Sequence, residues 1–182
     1  MSSAEKIVVV GIDPGLGTTG FAVLEVMGKE LRLRECGDIR SSPRLPFCDR
    51  LGKIFTELEA VLQRWQPQVM AVEKLYSEYS FPVTAIVMGH VRGVICLAAQ
   101  RAGMEIMEIS STEAKRALTG YGRASKEQMS ASISRLLDLK EPPRSEHIAD
   151  ALALGTVGAL RAASPMHNRE AQASFTRKGV GK

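Results

Sequence analysis

Short unbroken apolar runs alternate with helical stripes along this chain. Ile7–Asp13 (IVVVGID) is a β-branched run that stops at Pro14-Gly15, the pattern of a central strand buried on both faces. The glycine-rich turn Pro14–Gly20 (PGLGTTG) leads into Phe21–Val26 and then Leu31–Ile39, with Met27–Glu30 as a tight turn containing Gly28. Three strands joined by short connections predict an antiparallel meander. From Leu51 the apolar positions Ile54, Phe55, Leu58, Val61, Leu62 and Trp65 recur at helical spacing, and Pro67 ends that helix. Val69–Glu73 (VMAVE) reads as a second buried strand, parallel to the first because a helix crosses over between them.

Pro82–Ala102 predicts a long helix stopped by Gly103, and Met104–Ile109 a last strand. Ser110–Thr112 can cap a helix over Glu113–Leu118, and Ser125 with Gln128 offers a capping box for a helix through Leu137. Thr119–Gly122 is a loop between them. Pro142-Pro143 breaks the chain, and Ser145 can cap a final Ala- and Leu-rich helix over Glu146–Ala163. The expected architecture is α/β: a five-stranded mixed sheet with helices on both faces.

The 182 residues suit one domain, read as 1–163, followed by a basic, aperiodic tail over 164–182 that predicts disorder. Net charge is +4, from 24 basic and 20 acidic residues. Arg169, Arg177, Lys178 and Lys182, set against Glu170, give the tail most of it, so the body is nearly neutral, and charge alone identifies no nucleic-acid binder. Cys36, Cys48 and Cys96 have neither CxxC spacing nor a nearby ligating His, which predicts free thiols in a reducing compartment. His90 and Arg92 interrupt the longest apolar stretch, and the N-terminal run is too short for a signal segment. The chain is expected to be cytoplasmic and not membrane-bound.

The chemistry lies in carboxylates at strand ends. Asp13 and Glu73 each close a buried apolar run, and parallel neighbouring strands would bring both to one edge of the sheet. Their repulsion and desolvation call for a cation or a shared proton. His147 and Asp150, three residues apart, share a face of the last helix just after Glu146. This oxygen-rich, thiol-free set suits Mg²⁺ or Mn²⁺. Two such ions roughly 4 Å apart can stabilise the attacking and leaving oxygens of a phosphodiester in an in-line displacement. Hydrolysis of a nucleic-acid backbone is the expected reaction.

The segments GIDPGLGTTGFAVLE, AVEKLY, TAIVMGHVRGVICLAA, TGYGRASKEQM and HIADALALG together resemble, in order and spacing, the RuvC family of Holliday junction resolvases over about residues 7–160. The resemblance implies a ribonuclease H-like fold, a homodimer, and symmetric metal-dependent nicking of a four-way DNA junction. By the same resemblance, Asp13, Glu73 and Asp150 match the metal-binding acids. His147 stands where many members carry Asp and joins the catalytic and metal set. Mg²⁺ is the implied cofactor, with Mn²⁺ as a substitute and two ions per site. Tyr76 matches an aromatic that stacks on an unpaired base, and Lys115 and Lys126 match lysines near the scissile phosphate. Arg116 and Arg123 thicken that basic stretch. Branch-migration proteins of RuvA/RuvB type are implied partners.

Three other readings compete. The glycine-rich opening also resembles the phosphate loop of actin-like sugar or acetate kinases, but those need a second domain and a far longer chain. A YqgF-type nuclease shares the fold and an Asp-ended first strand but lacks the long helix carrying TAIVMGHVRGV. A non-catalytic junction-binding scaffold would be favoured by loss of a site acid, and all three acids are present.

Overall fold

The computed structural model describes residues 5–28, 30–74 and 82–164. The elements run β1 (Lys6–Asp13), β2 (Thr18–Met27), β3 (Glu30–Arg40), α1 (Phe47–Trp65), β4 (Val69–Glu73), α2 (Pro82–Arg101), β5 (Glu105–Ile109), α3 (Ser111–Thr119), α4 (Lys126–Leu136) and α5 (Glu146–Ala162). The five strands form one sheet in the order β3-β2-β1-β4-β5. β1, β2 and β3 make the antiparallel meander, while β4 runs parallel to both β1 and β5. The mixed sheet expected from the pattern is present.

Strand alternation divides the core in two. Val8, Val10 and Ile12 of β1 point to the side covered by α1 and α2, where they meet Ile54, Leu58, Val91 and Ile95. Val9 points to the opposite side with Ala22, Leu24 and Ala71, under α5 and its neighbours α3 and α4. β1 is thus buried on both faces, which is why its sequence is apolar without alternation.

Several boundaries shift by one or two residues from the sequence reading, and two shift further. β2 begins at Thr18, so the glycine-rich segment is partly strand: Thr18, Thr19 and Gly20 pair with Arg40, Ile39 and Asp38. Turn composition concealed this because Gly20 serves a close crossing, not a bend. α1 begins at Phe47, following Pro46, whose carbonyl accepts from the Arg50 N–H at 3.1 Å. Its first turn is largely exposed and carries no apolar stripe to announce it. Other ends follow the predicted signals. Gly103 takes φ 69° after α2, Ser110 and Ser145 cap α3 and α5, and Ser125 with Gln128 forms the capping box of α4.

Candidate active site: an acidic cleft at the sheet edge

Parallel register pairs Ile12 with Val72, so the next residues, Asp13 and Glu73, end β1 and β4 side by side. The third acid arrives by backbone contact between helix and sheet. A Cβ on Gly11 of β1 would overlap the Ala151 carbonyl and the Gly155 backbone, and one on Gly20 of β2 would overlap the His147 carbonyl. Only glycine leaves room at these two crossings. α5 therefore lies directly on the sheet with its first turns at the edge where β1 and β4 end.

Asp13, Glu73 and Asp150 line one cavity of about 640 Å³, closed by α3, α4 and the 142–146 segment and also lined by Lys115, Lys126 and Glu146. Its deeper wall is apolar, with Ala114, Met129, Ile133 and Leu154. The electrostatics match a set of crowded carboxylates. Burial pushes the Asp13 carboxyl above the usual range, repulsion from Asp150 adds to this, and the His147 hydrogen bond and Lys126 pull it back. Glu73 is raised by desolvation and then by Asp13 and Asp150, against the nearby Arg92 charge. Asp150 is solvent-accessible at the mouth, yet desolvation by the cleft walls still raises it, with Glu146 adding repulsion and Lys126, His147 and Lys115 opposing.

His147 is not part of the cavity wall but is tied to it: its Nδ1 lies 2.7 Å from Asp13 Oδ2. With Asp13 ionised, that nitrogen carries the proton and donates. Of the basic residues expected here, Lys115 and Lys126 line the cavity, whereas Arg116 and Arg123 are exposed and outside its lining. Tyr76 and the tail beyond Ser164 lie outside the described residues.

Four contacts have no counterpart in the sequence reading above. Lys126 Nζ pairs with Glu146 Oε2 at 2.7 Å across the cleft mouth. The Ser145 hydroxyl donates to Asp38 Oδ1 at 2.9 Å, anchoring the start of α5 to β3. Arg92 donates to the Glu73 carbonyl and to the Glu108 carboxylate. An arginine midway along a mostly apolar helix signals a buried partner, and that was the available clue.

The donor set fits divalent cations. Crowded, partly desolvated carboxylates with raised proton affinity hold negative charge that a hard dication would neutralise. Among the described residues, no group of three or more His, Cys, Asp or Glu side chains is placed so that together they could hold a metal ion.

A family model described as "Crossover junction endodeoxyribonuclease RuvC" matches residues 9–157. The chain belongs to the RuvC family. A family member from Rhodopirellula baltica is 42% identical over 158 residues, covering 87% of this chain and 89% of that protein. One from Heliobacterium modesticaldum is 40% identical over 148 residues, covering 81% and 91%. Among solved structures, Thermus thermophilus RuvC in complex with Holliday junction substrate superposes with a TM-score of 0.82 at 35% identity, covering 86% of this chain and 95% of that one. The architecture is the ribonuclease H-like fold of these RuvC resolvases.

Proposed function

We propose that this chain is a structure-selective endodeoxyribonuclease that resolves four-way DNA junctions by hydrolysing phosphodiesters at the cleft. The observation that carries the proposal is the convergence of Asp13, Glu73 and Asp150, from two strand ends and a helix, on one cavity that also holds Lys115 and Lys126. Family membership supplies the substrate class, since relatives bear the name crossover junction endodeoxyribonuclease.

In this reading Asp13, Glu73 and Asp150 hold divalent cations, with His147 fixing the Asp13 carboxylate and available as a further donor. Bound Mg²⁺, or Mn²⁺ in its place and in two copies, would supply Lewis-acid stabilisation of phosphate charge and a water made nucleophilic near neutral pH. Lys115 and Lys126 hold the phosphate and offset charge gained in the transition state. Lys126 is paired with Glu146 in the free protein and exchanges that exposed partner for a phosphate oxygen. Arg116, Arg123 and Tyr76 extend the contact to flanking DNA, the tyrosine by stacking.

Two symmetric nicks require two sites, and α2 supports a homodimer. It exposes Val83 (72%), Ile86 (60%) and Leu97 (53%). By length and composition α2 could also cross a membrane, but Val91, Arg92, Ile95, Ala98 and Ala99 are buried in the described fold. A second copy therefore fits its remaining face better than lipid. Free Cys36, Cys48 and Cys96 support a reducing, cytoplasmic setting. Motor proteins of RuvA/RuvB type remain the partners proposed from the family.

The test is cleavage of a synthetic four-way junction beside linear duplex, with and without Mg²⁺. Asp13→Asn should lower the junction cleavage rate by about 1,000-fold or more, equivalent to about 4 kcal/mol of barrier, while junction binding persists. Wild-type cleavage by that variant in Mg²⁺ would overturn the reading.

A further inference from the structure

Arg92 is a charged residue buried from solvent, at 8% exposed. It sits on α2 beside Val91 and Ile95, where an arginine is costly unless its donors are satisfied. Nη1 donates to the backbone carbonyl of Glu73 and Nη2 to a carboxylate oxygen of Glu108. Glu108 belongs to β5, paired alongside β4, and is half exposed. One guanidinium therefore binds the last residue of β4 to the neighbouring strand and to the helix above.

We propose that Arg92 is a positioning residue for the acidic cleft: it holds the main chain of Glu73 so that the carboxylate enters the cavity beside Asp13. The proposal rests on the reading of Glu73 as an active-site acid. β4 has only five residues, and at Glu73 it is paired with Ile109 of β5 alone, since the register with β1 ends one residue earlier at Ile12 and Val72. The main chain continues with the Lys74 N–H donating to the Ile109 carbonyl at 2.9 Å, and Arg92 secures the carbonyl one residue earlier. Its charge also opposes the repulsion that Asp13 and Asp150 exert on Glu73. The planar fork is needed because one side chain must reach two acceptors of different kinds at fixed angles, which a lysine ammonium does poorly. Misplacement of a reacting group by about 1 Å can cost about 100-fold in rate.

The test uses the full chain with Arg92→Lys, Arg92→Met and Glu108→Gln, and Glu73→Gln as reference. Four quantities are measured: Mn²⁺ binding by calorimetry without DNA, junction affinity, single-turnover cleavage rate and melting temperature. Arg92→Lys should keep junction affinity within about twofold while Mn²⁺ affinity and cleavage rate each fall about 10- to 100-fold, the range typical when a group that orients metal ligands is lost. Glu108→Gln, which leaves the Glu73 contact in place, should lose less. Should Arg92→Met fail to fold, Arg92→Lys decides. Wild-type Mn²⁺ affinity in Arg92→Lys overturns the inference, including when cleavage falls in step with melting temperature, because that describes a purely structural residue. If Glu73→Gln is inactive while Arg92→Lys behaves normally, only the positioning role fails. If Glu73→Gln cleaves normally, the reading of the cleft itself fails.

Discussion

The two faces of the sheet are held by different means. On one face, α1 and α2 meet β1 and β2 through large side chains such as Ile54, Leu58 and Ile95, which can adjust rotamers to absorb small changes. On the other, α5 meets β1 and β2 through backbone at Gly11 and Gly20, where no rotamer is available to adjust. The rigid face carries His147 and Asp150; the adaptable one carries the exposed apolar face of α2. Close backbone packing thus accompanies the part of the molecule whose chemistry depends on the spacing of charged groups.

The strongest way to break this contrast is Gly11→Ala. With backbone as the obstacle, the substitution should cost about 3 kcal/mol or more in denaturant unfolding and reduce junction cleavage even in the fraction that folds. Ile54→Val, on the opposite face, should cost about 1 kcal/mol and leave the cleavage rate of folded protein unchanged. Equal effects of both on cleavage would erase the distinction. Next in size, Ile86→Glu should weaken self-association by about 2 kcal/mol or more, read by sedimentation across a concentration series, while the monomer keeps its fold. Ser145→Ala removes both the cap of α5 and its tie to Asp38, and should cost about 1 kcal/mol in thermal unfolding.

The smallest effect concerns pH. Asp13, Glu73 and Asp150 bind protons more tightly folded than unfolded, so the metal-free protein loses stability as pH rises from the usual carboxylate range through their raised values. Below that range the penalty is absent. Metal-free Asp13→Asn should therefore melt above wild type at neutral pH, with the gap closing on acidification and Mg²⁺ stabilising wild type more than the variant. A variant less stable than wild type at neutral pH would show that the His147 hydrogen bond outweighs burial.

Much of this was legible in the linear pattern. The unbroken run Ile7–Asp13 announced a strand buried on both sides, and the helix between it and Val69–Glu73 implied parallel pairing, which together predicted that Asp13 and Glu73 would meet. Spacing of His147 and Asp150 put them on one helix face. The rest depended on long-range contacts without local signature. Gly20 looked like a turn residue because the reason for its missing side chain, the His147 carbonyl, lies far along the chain. Arg92 looked like an interruption of an apolar helix because its acceptors are on β4 and β5.

Local chemistry, then, determined the elements, their caps and which acids were available, since periodicity and capping act over a few residues. Tertiary structure alone decided how near those acids stand, which lysine pairs with Glu146, and what holds Glu73 in place. Such distances follow from how helices settle on the sheet, and that settling is governed by packing between residues remote in sequence.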